Sequence, residues 1–332
     1  MNFSGAWRRI DEMKININPG TRRMLCLVSA IVAGCIFPFL FPSTQDFFSV
    51  EQVAGTINAG TLVPYFVMTM LFLAFIDVKF SRETFAWSHV AILAFMVAFA
   101  VVMFWAVKLV TGNFNYAVMA FLMAMTPTAN AAPVITALLG RRADYATVSV
   151  VLSNLFVAVA LAPLVHLVIG NEYEIETFDL AKSAIFVVGT PFLLSMFLRN
   201  FWDAGMRFAR KYKFLSFYIW MIMLFNCCAQ SSAYIARQEG ITFGQIAGIF
   251  ALAAVMCAVH FVCGYFMGEK RFRRECSQSL GQKNTMLMLW VGLAFFNPIV
   301  ALGPTFYVIC HNIWNSIQLK RYVPAKTADT EK

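Results

Sequence analysis

Ten apolar runs, each close to 20 residues long, follow one another along this chain of 332 residues. They fall near 24–42, 62–78, 88–110, 115–139, 145–169, 180–198, 214–236, 243–267, 277–295 and 298–319. A helix of about 20 residues crosses a hydrocarbon core of roughly 30 Å, and only helices or closed barrels satisfy their backbone there. Composition agrees, with 60% of residues hydrophobic, 13% charged and a mean hydropathy of +0.69. A soluble domain of this length needs a more polar surface. The expected fold class is therefore an all-α polytopic membrane protein with ten transmembrane helices.

Charge sets the expected orientation. With a cytoplasmic N-terminus, 22 of the 26 basic residues fall on the cytoplasmic side, among them Arg8, Arg9, Arg141, Arg142, Arg207, Arg210, Lys211 and the run Lys270–Arg274. Lys108, Lys182 and Arg237 flank the other side, where the loop "NEYEIETFD" is acidic. By the positive-inside rule both termini lie in the cytoplasm and the chain sits in the inner (plasma) membrane. The net charge of +9 is then a matter of topology, and the expected partner is the bilayer, with no nucleic acid. Residues 1–21 lack an apolar h-region, so the first span is expected to insert uncleaved. Phe3, Trp7 and Ile10 beside two arginines suit an interfacial segment as well as a plain cytosolic lead. Residues 321–332 read as a cytoplasmic tail. The eight cysteines show no CxxC spacing and read as small buried apolar residues, so neither a metal nor a disulfide framework is expected.

Two spans are interrupted. Span 4 contains "AMTPTANAAPVITALLG", in which Pro127 removes a helical hydrogen bond and Thr128, Asn130 and Pro133 follow. Span 9 contains "QSLGQKNTMLML", with Gly281 among Ser279, Gln282, Lys283 and Asn284. Taken singly, either is accounted for by an ordinary kink. Their positions match, however: Asn130 lies 106 residues after the start of span 1 at residue 24, and Asn284 lies 104 after the start of span 6 at residue 180. Five spans reverse orientation between the halves. The pattern therefore predicts an inverted repeat, 22–170 and 171–320, with a site where the crossed interruptions meet near the midplane. Half-helix N-termini there are expected to present free N–H groups suited to an anion.

These residues resemble the bile acid–sodium symporter family. The resemblance rests on "TPTANAAPVITAL", "GQKN", "VICHNIWNSIQL" in span 10 and "LFLAFIDVKFSRETF" after span 2. It implies a core domain holding the crossed helices 4 and 9, and a panel domain against which the core moves. Both domains would draw helices from both repeats. It also implies organic-anion substrates such as bile acids, pantoate or related carboxylates, and places His311 and Asn312 at the core lining. The family's second break reads Glu-x-Gly-x-Gln-Asn, its Glu and Gln contributing to two sodium sites. Here the corresponding positions are Ser279 and Lys283, and span 3 carries no counterpart to the family's sodium-binding glutamine. In span 5, Ser149 and Ser153 are matched to further ligand positions, with Thr147 or Asn154 as alternatives.

Lys283 is thus a fixed cation where a mobile one would sit. An ammonium group supplies the charge and the hydrogen bonds of a sodium ion, so the expectation is a built-in substitute and transport not driven by sodium. Direct binding of a substrate carboxylate and snorkelling to the interface are the alternatives. Proton coupling through Lys283, a sodium-coupled symporter and a cation–proton antiporter remain open as mechanisms. The antiporter needs a titratable acid at the crossing, which spans 4 and 5 lack. Asn226 and Gln230, one turn apart in span 7, are candidate cavity residues. Membrane enzymes of the DDxxD or HExxH kind are excluded, since neither motif occurs. No cofactor is expected.

Overall fold

A computed structural model describes residues 19–44, 47, 59–76, 84–170, 172–173, 175–237 and 242–321. The N-terminal lead with Phe3, Trp7 and Ile10, and the tail from 322 onward, lie outside the described residues. Among those described the regular structure is helical and no strand occurs. In chain order the helices are α1 (Pro19–Leu40), α2 (Ala59–Phe75), α3 (Trp87–Thr111), α4 (Phe114–Met125), α5 (Ala132–Leu138), α6 (Ala143–Val168) and α7 (Thr177–Phe201). They continue as α8 (Asp203–Lys211), α9 (Leu215–Arg237), α10 (Phe243–Met267), α11 (Arg273–Gly281), α12 (Thr285–Phe295) and α13 (Pro298–Arg321). Four of them, α3, α6, α7 and α10, are long and apolar enough to cross a membrane by length and composition, and shorter apolar helices accompany them. The chain is an all-helical polytopic membrane protein.

Helix limits follow from local chemistry. Gly112 ends α3 in the left-handed region at φ 64°, a conformation that carries no Cβ penalty only for glycine. Asn113 follows at once as the N-cap of α4, its side chain accepting from the Tyr116 N–H. The turn between α3 and α4 therefore needs just two residues. Thr242 and Gln245 close a reciprocal capping box at the start of α10.

The helices fall into two sets, which also pack on each other through α6 with α7 and α13 with α9. In one, α9 lies along α1, and α2 packs on α7 and α9. Gly34 permits the α1–α9 approach, because a Cβ there would stand 2.4 Å from the Phe225 carbonyl oxygen. In the other, α3 packs on α4 and α6, α10 on α11 and α13, and α12 on α13. Polar bonds tie both ends of this second group. At one end the Ser88 and Tyr145 hydroxyls meet at 2.7 Å, and the Arg142 N–H donates to Glu275 Oε1 at 3.3 Å. At the other, Asn297 Nδ2 donates to Asn115 Oδ1 at 3.0 Å, with the Tyr173 hydroxyl also bonded to Asn115.

The half-helices α4 and α12 lie deepest. Every residue from Ala117 to Met125 and from Thr285 to Leu293 is buried, whereas α3 exposes Val102, Trp105, Leu109 and Val110. Apolar side chains thus face outward on the surrounding helices, and the interrupted segments are enclosed by protein. That enclosure is the condition under which broken backbone is tolerated at membrane depth.

Candidate functional site

The two interruptions cross and pair. After α4 the backbone turns extended at Thr126, and after α11 it does so at Gln282. Ala129 N–H donates to the Gln282 carbonyl at 2.8 Å, and Asn284 N–H donates to the Pro127 carbonyl at 2.7 Å. Thr128 and Lys283 are therefore partners in an isolated antiparallel β-bridge. They form its non-hydrogen-bonded pair, for which Cα atoms sit about 4.5 Å apart. Pro127 immediately precedes Thr128, and Gly281 is the last residue of α11, two positions before Lys283.

Neighbouring side chains satisfy what the breaks expose. Thr128 donates through Oγ1 to the Ser279 carbonyl at 2.8 Å, while its N–H donates to Ser153 Oγ at 2.9 Å. Asn154 Nδ2 donates to the Thr128 carbonyl at 3.1 Å, and Asn284 Nδ2 donates to Asn154 Oδ1 at 3.0 Å. Tyr307 of α13 donates to the Gly281 carbonyl at 2.9 Å and meets His260 Nδ1 at 3.1 Å. Gly281 has no room for a side chain, since a Cβ would stand 2.4 Å from the ring of Phe261. The Asn284 N–H, at the head of α12, is taken by the Pro127 carbonyl, and the N–H groups of Thr128 and Ala129, ahead of α5, are taken by Ser153 and Gln282. Two chains that cross at this distance satisfy each other before any ligand arrives.

Lys283 is 2% exposed. Its Nζ donates to the Ala124 carbonyl at 3.3 Å, in the last turn of α4. The helical partner of that carbonyl would be the Thr128 N–H, which Ser153 has taken. Met123, one residue earlier, faces Pro127, which has no N–H to offer. The ammonium group thus fills the vacancy that the break creates, at the negative end of a helix dipole. Among the described residues the one ion pair is Arg142–Asp144, and no carboxylate lies within ion-pair distance of Lys283.

The other expected residues divide. Ser279 is buried beside the break with its hydroxyl unpartnered. Gln282 donates to Gln278 at 2.6 Å, Gln278 in turn bonds Gln318 of α13, and Gln282 Oε1 is left buried without a partner. Asn130 turns away from Lys283 and donates to the Met70 carbonyl of α2 at 3.4 Å, so it stands at the boundary between the two helix groups. In span 5 the register resolves on Ser153 and Asn154. Ser149 hydroxyl donates back to the Tyr145 carbonyl of its own helix at 3.3 Å, and Thr147 likewise donates to Ala143. His311 is buried with Nδ1 unpartnered. Asn312, its neighbour, points elsewhere and lines a small cavity with Val28 and Ile31 of α1 and Leu224 of α9. Asn226 and Gln230 are bonded to each other at 2.8 Å. A larger cavity of about 200 Å³ lies between α1, α9, α10 and α13, lined by Cys35, Cys228, Ser232 and Thr305 with apolar residues, and touches none of the expected site residues.

Sequence reasoning passed over Tyr307 and Gln318 and set His260 aside as ordinary. A lone tyrosine or histidine in an apolar run gives no sign of what it will meet across the bundle.

Interrupted helices thus cross at a buried polar centre inside an all-helical polytopic membrane protein. Residues 62–238, more than half of the chain, match the Sodium Bile acid symporter family. The chain belongs to that family, whose members are transporters rather than enzymes. The matched stretch takes in the first break and α6 and ends before the second. No curated protein matches the chain.

Proposed function

We propose that the chain is a secondary transporter of small organic anions, working by alternating access and not driven by sodium. The observation that carries this reading is Lys283, a buried ammonium bonded to an orphaned helix carbonyl with no described carboxylate to neutralise it. Ionisable residues buried in a membrane protein are costly and mark functional paths. An ammonium fixed at the crossing would attract a carboxylate substrate and stand where a sodium ion would be coordinated. Bile acids, pantoate and related carboxylates are the substrate class, with Thr128, Ser153, Ser279, Gln282 and Asn284 beside the lysine and Asn130 at the α2 boundary. His311, Asn312 and Ser149 have a weaker claim, lying off the bridge.

The inverted repeat, 22–170 and 171–320, has its support in the helix limits. Helices α3 and α10 start 156 residues apart, α5 and α12 153, and α6 and α13 155. Five spans in each half would set the two copies in opposite orientation. The α1–α2–α7–α9 group would be the panel and the remainder the core. Asn130 and Asn312 lie where these groups meet, so relative movement would alter their surroundings first. Both termini are placed in the cytoplasm and the chain in the inner membrane, on the distribution of basic residues.

The family name favours a second reading, a sodium-coupled symporter. One experiment separates the two: the melting temperature of the purified chain in sodium chloride against choline chloride at equal ionic strength. A ligand at about 100 times its Kd stabilises by roughly 2.7 kcal/mol. We expect no sodium response in the parent, and a response in Ser279→Glu/Lys283→Gln. A sodium-specific rise that survives Lys283→Gln would sink the lysine-for-sodium reading.

A further inference from the structure

At the junction of α7 and α9 the short helix α8 presents two faces of different kind. Met206 and Ala209 are buried with Leu73, Ile76 and Leu198, so one face is docked on the ends of α2 and α7. Arg199 fixes the same corner, donating through Nη2 to the Phe75 carbonyl at 2.8 Å. The opposite face is exposed and carries Arg207, Phe208, Arg210 and Lys211, with Trp202 at the helix N-terminus. Trp202 is 56% exposed and Phe208 64%. Gly205 leaves room for the indole to fold over the helix, since a Cβ there would stand 2.7 Å from the Trp202 ring.

Charge and continuity say what covers this face. From residue 199 to 213 there are five basic residues and a single acid, Asp203. The exposed rings continue the lipid-facing surface of α7, where Phe197 and Phe201 are also exposed. Bulky apolar rings at the end of a span lie at the headgroup boundary, and cations just beyond them meet phosphates. A soluble anion would match the cations and leave the rings in water. A neutral lipid would match the rings and bring no negative charge to the cations.

We propose that the outer face of α8 is a binding site for the headgroup of an anionic phospholipid, which holds the α2–α7 corner at the membrane surface. The inference stands apart from the role of Lys283. Each basic residue at an anionic membrane surface raises affinity roughly fivefold, and the attraction is screened by salt.

The test uses the full chain reconstituted in phosphatidylcholine with added phosphatidylglycerol, either lipid brominated on its chains. Quenching of the Trp202 component is obtained as the difference between the parent and Trp202→Phe. Brominated phosphatidylglycerol should quench Trp202 at mole fractions roughly tenfold below those needed for brominated phosphatidylcholine. Arg207→Gln/Lys211→Gln should abolish the preference, and Arg207→Lys/Lys211→Arg should keep it. Equal quenching by the two lipids in the parent overturns the proposal. Displacement by millimolar inorganic phosphate overturns it too, by making the site one for the free anion.

Discussion

Lys283→Met is the most informative single change, because its stability and its activity are expected to part. The side chains are of similar length, so packing at this buried position is nearly conserved. Removing the ammonium relieves a desolvation penalty of several kcal/mol for a buried charge. Against this, it gives up a charged hydrogen bond worth about 1.5–3 kcal/mol and leaves the Ala124 carbonyl unpaired at about 1–3 kcal/mol. The opposing effects nearly cancel. The expected net change is within about 1 kcal/mol, or on the order of 2 °C in melting temperature for a chain of this size. Organic-anion exchange in liposomes, by contrast, should fall to background. Melting in detergent and exchange on the same preparations give the two readouts. Breaking a buried ion pair would instead cost about 3–5 kcal/mol. A melting temperature lower by 6 °C or more would therefore mean that the lysine is held by a buried acid and is structural. Undiminished exchange would refute its functional role outright.

Three further outcomes follow from the geometry. Gly281→Ala drives a methyl into the Phe261 ring and should cost about 1–3 kcal/mol, with Phe261→Leu in the same chain restoring part of the loss; the melting temperatures of both decide it. Gly34→Ala meets the Phe225 backbone, which cannot yield, and should loosen the α1–α9 pair, whereas Gly248→Ala has nothing within 4 Å and should be neutral or stabilising by up to about 1 kcal/mol. Equal effects at the two glycines would refute the close approach. Thr128→Val keeps the shape and removes the donor to the Ser279 carbonyl, so it should destabilise by about 1–3 kcal/mol. Proteolysis of the native state should then cut near the break faster than in the parent, and an unchanged cutting rate would count against that hydrogen bond.

Much of this arrangement was legible before any coordinates. Pro127 and Gly281 sit among polar residues that interrupt apolar runs, and α4 and α11 end within two residues of them. A meeting of the breaks was expected from their similar distances along each half, 106 and 104 residues, and Thr128 and Lys283 do pair across them. Less legible was the side-chain register. Ser149 and Ser153 are a turn apart on α6 and look alike in sequence, yet only Ser153 reaches the Thr128 N–H. His311 and Asn312 are neighbours in one motif, and a helix sends adjacent side chains about 100° apart, so one faces inward and the other lines the α1 boundary.

The sequence by itself determined where the helices run and where two of them break. A bilayer admits few ways to satisfy a backbone, and proline, glycine and hydropathy act on their own segment. Only the tertiary structure decided what the breaks bond to. Whether the Ala124 carbonyl keeps the Thr128 N–H or takes the Lys283 ammonium depends on where Ser153 stands across the crossing. That is a question of contacts between residues 25 and 159 positions apart in the chain, and no local pattern records it.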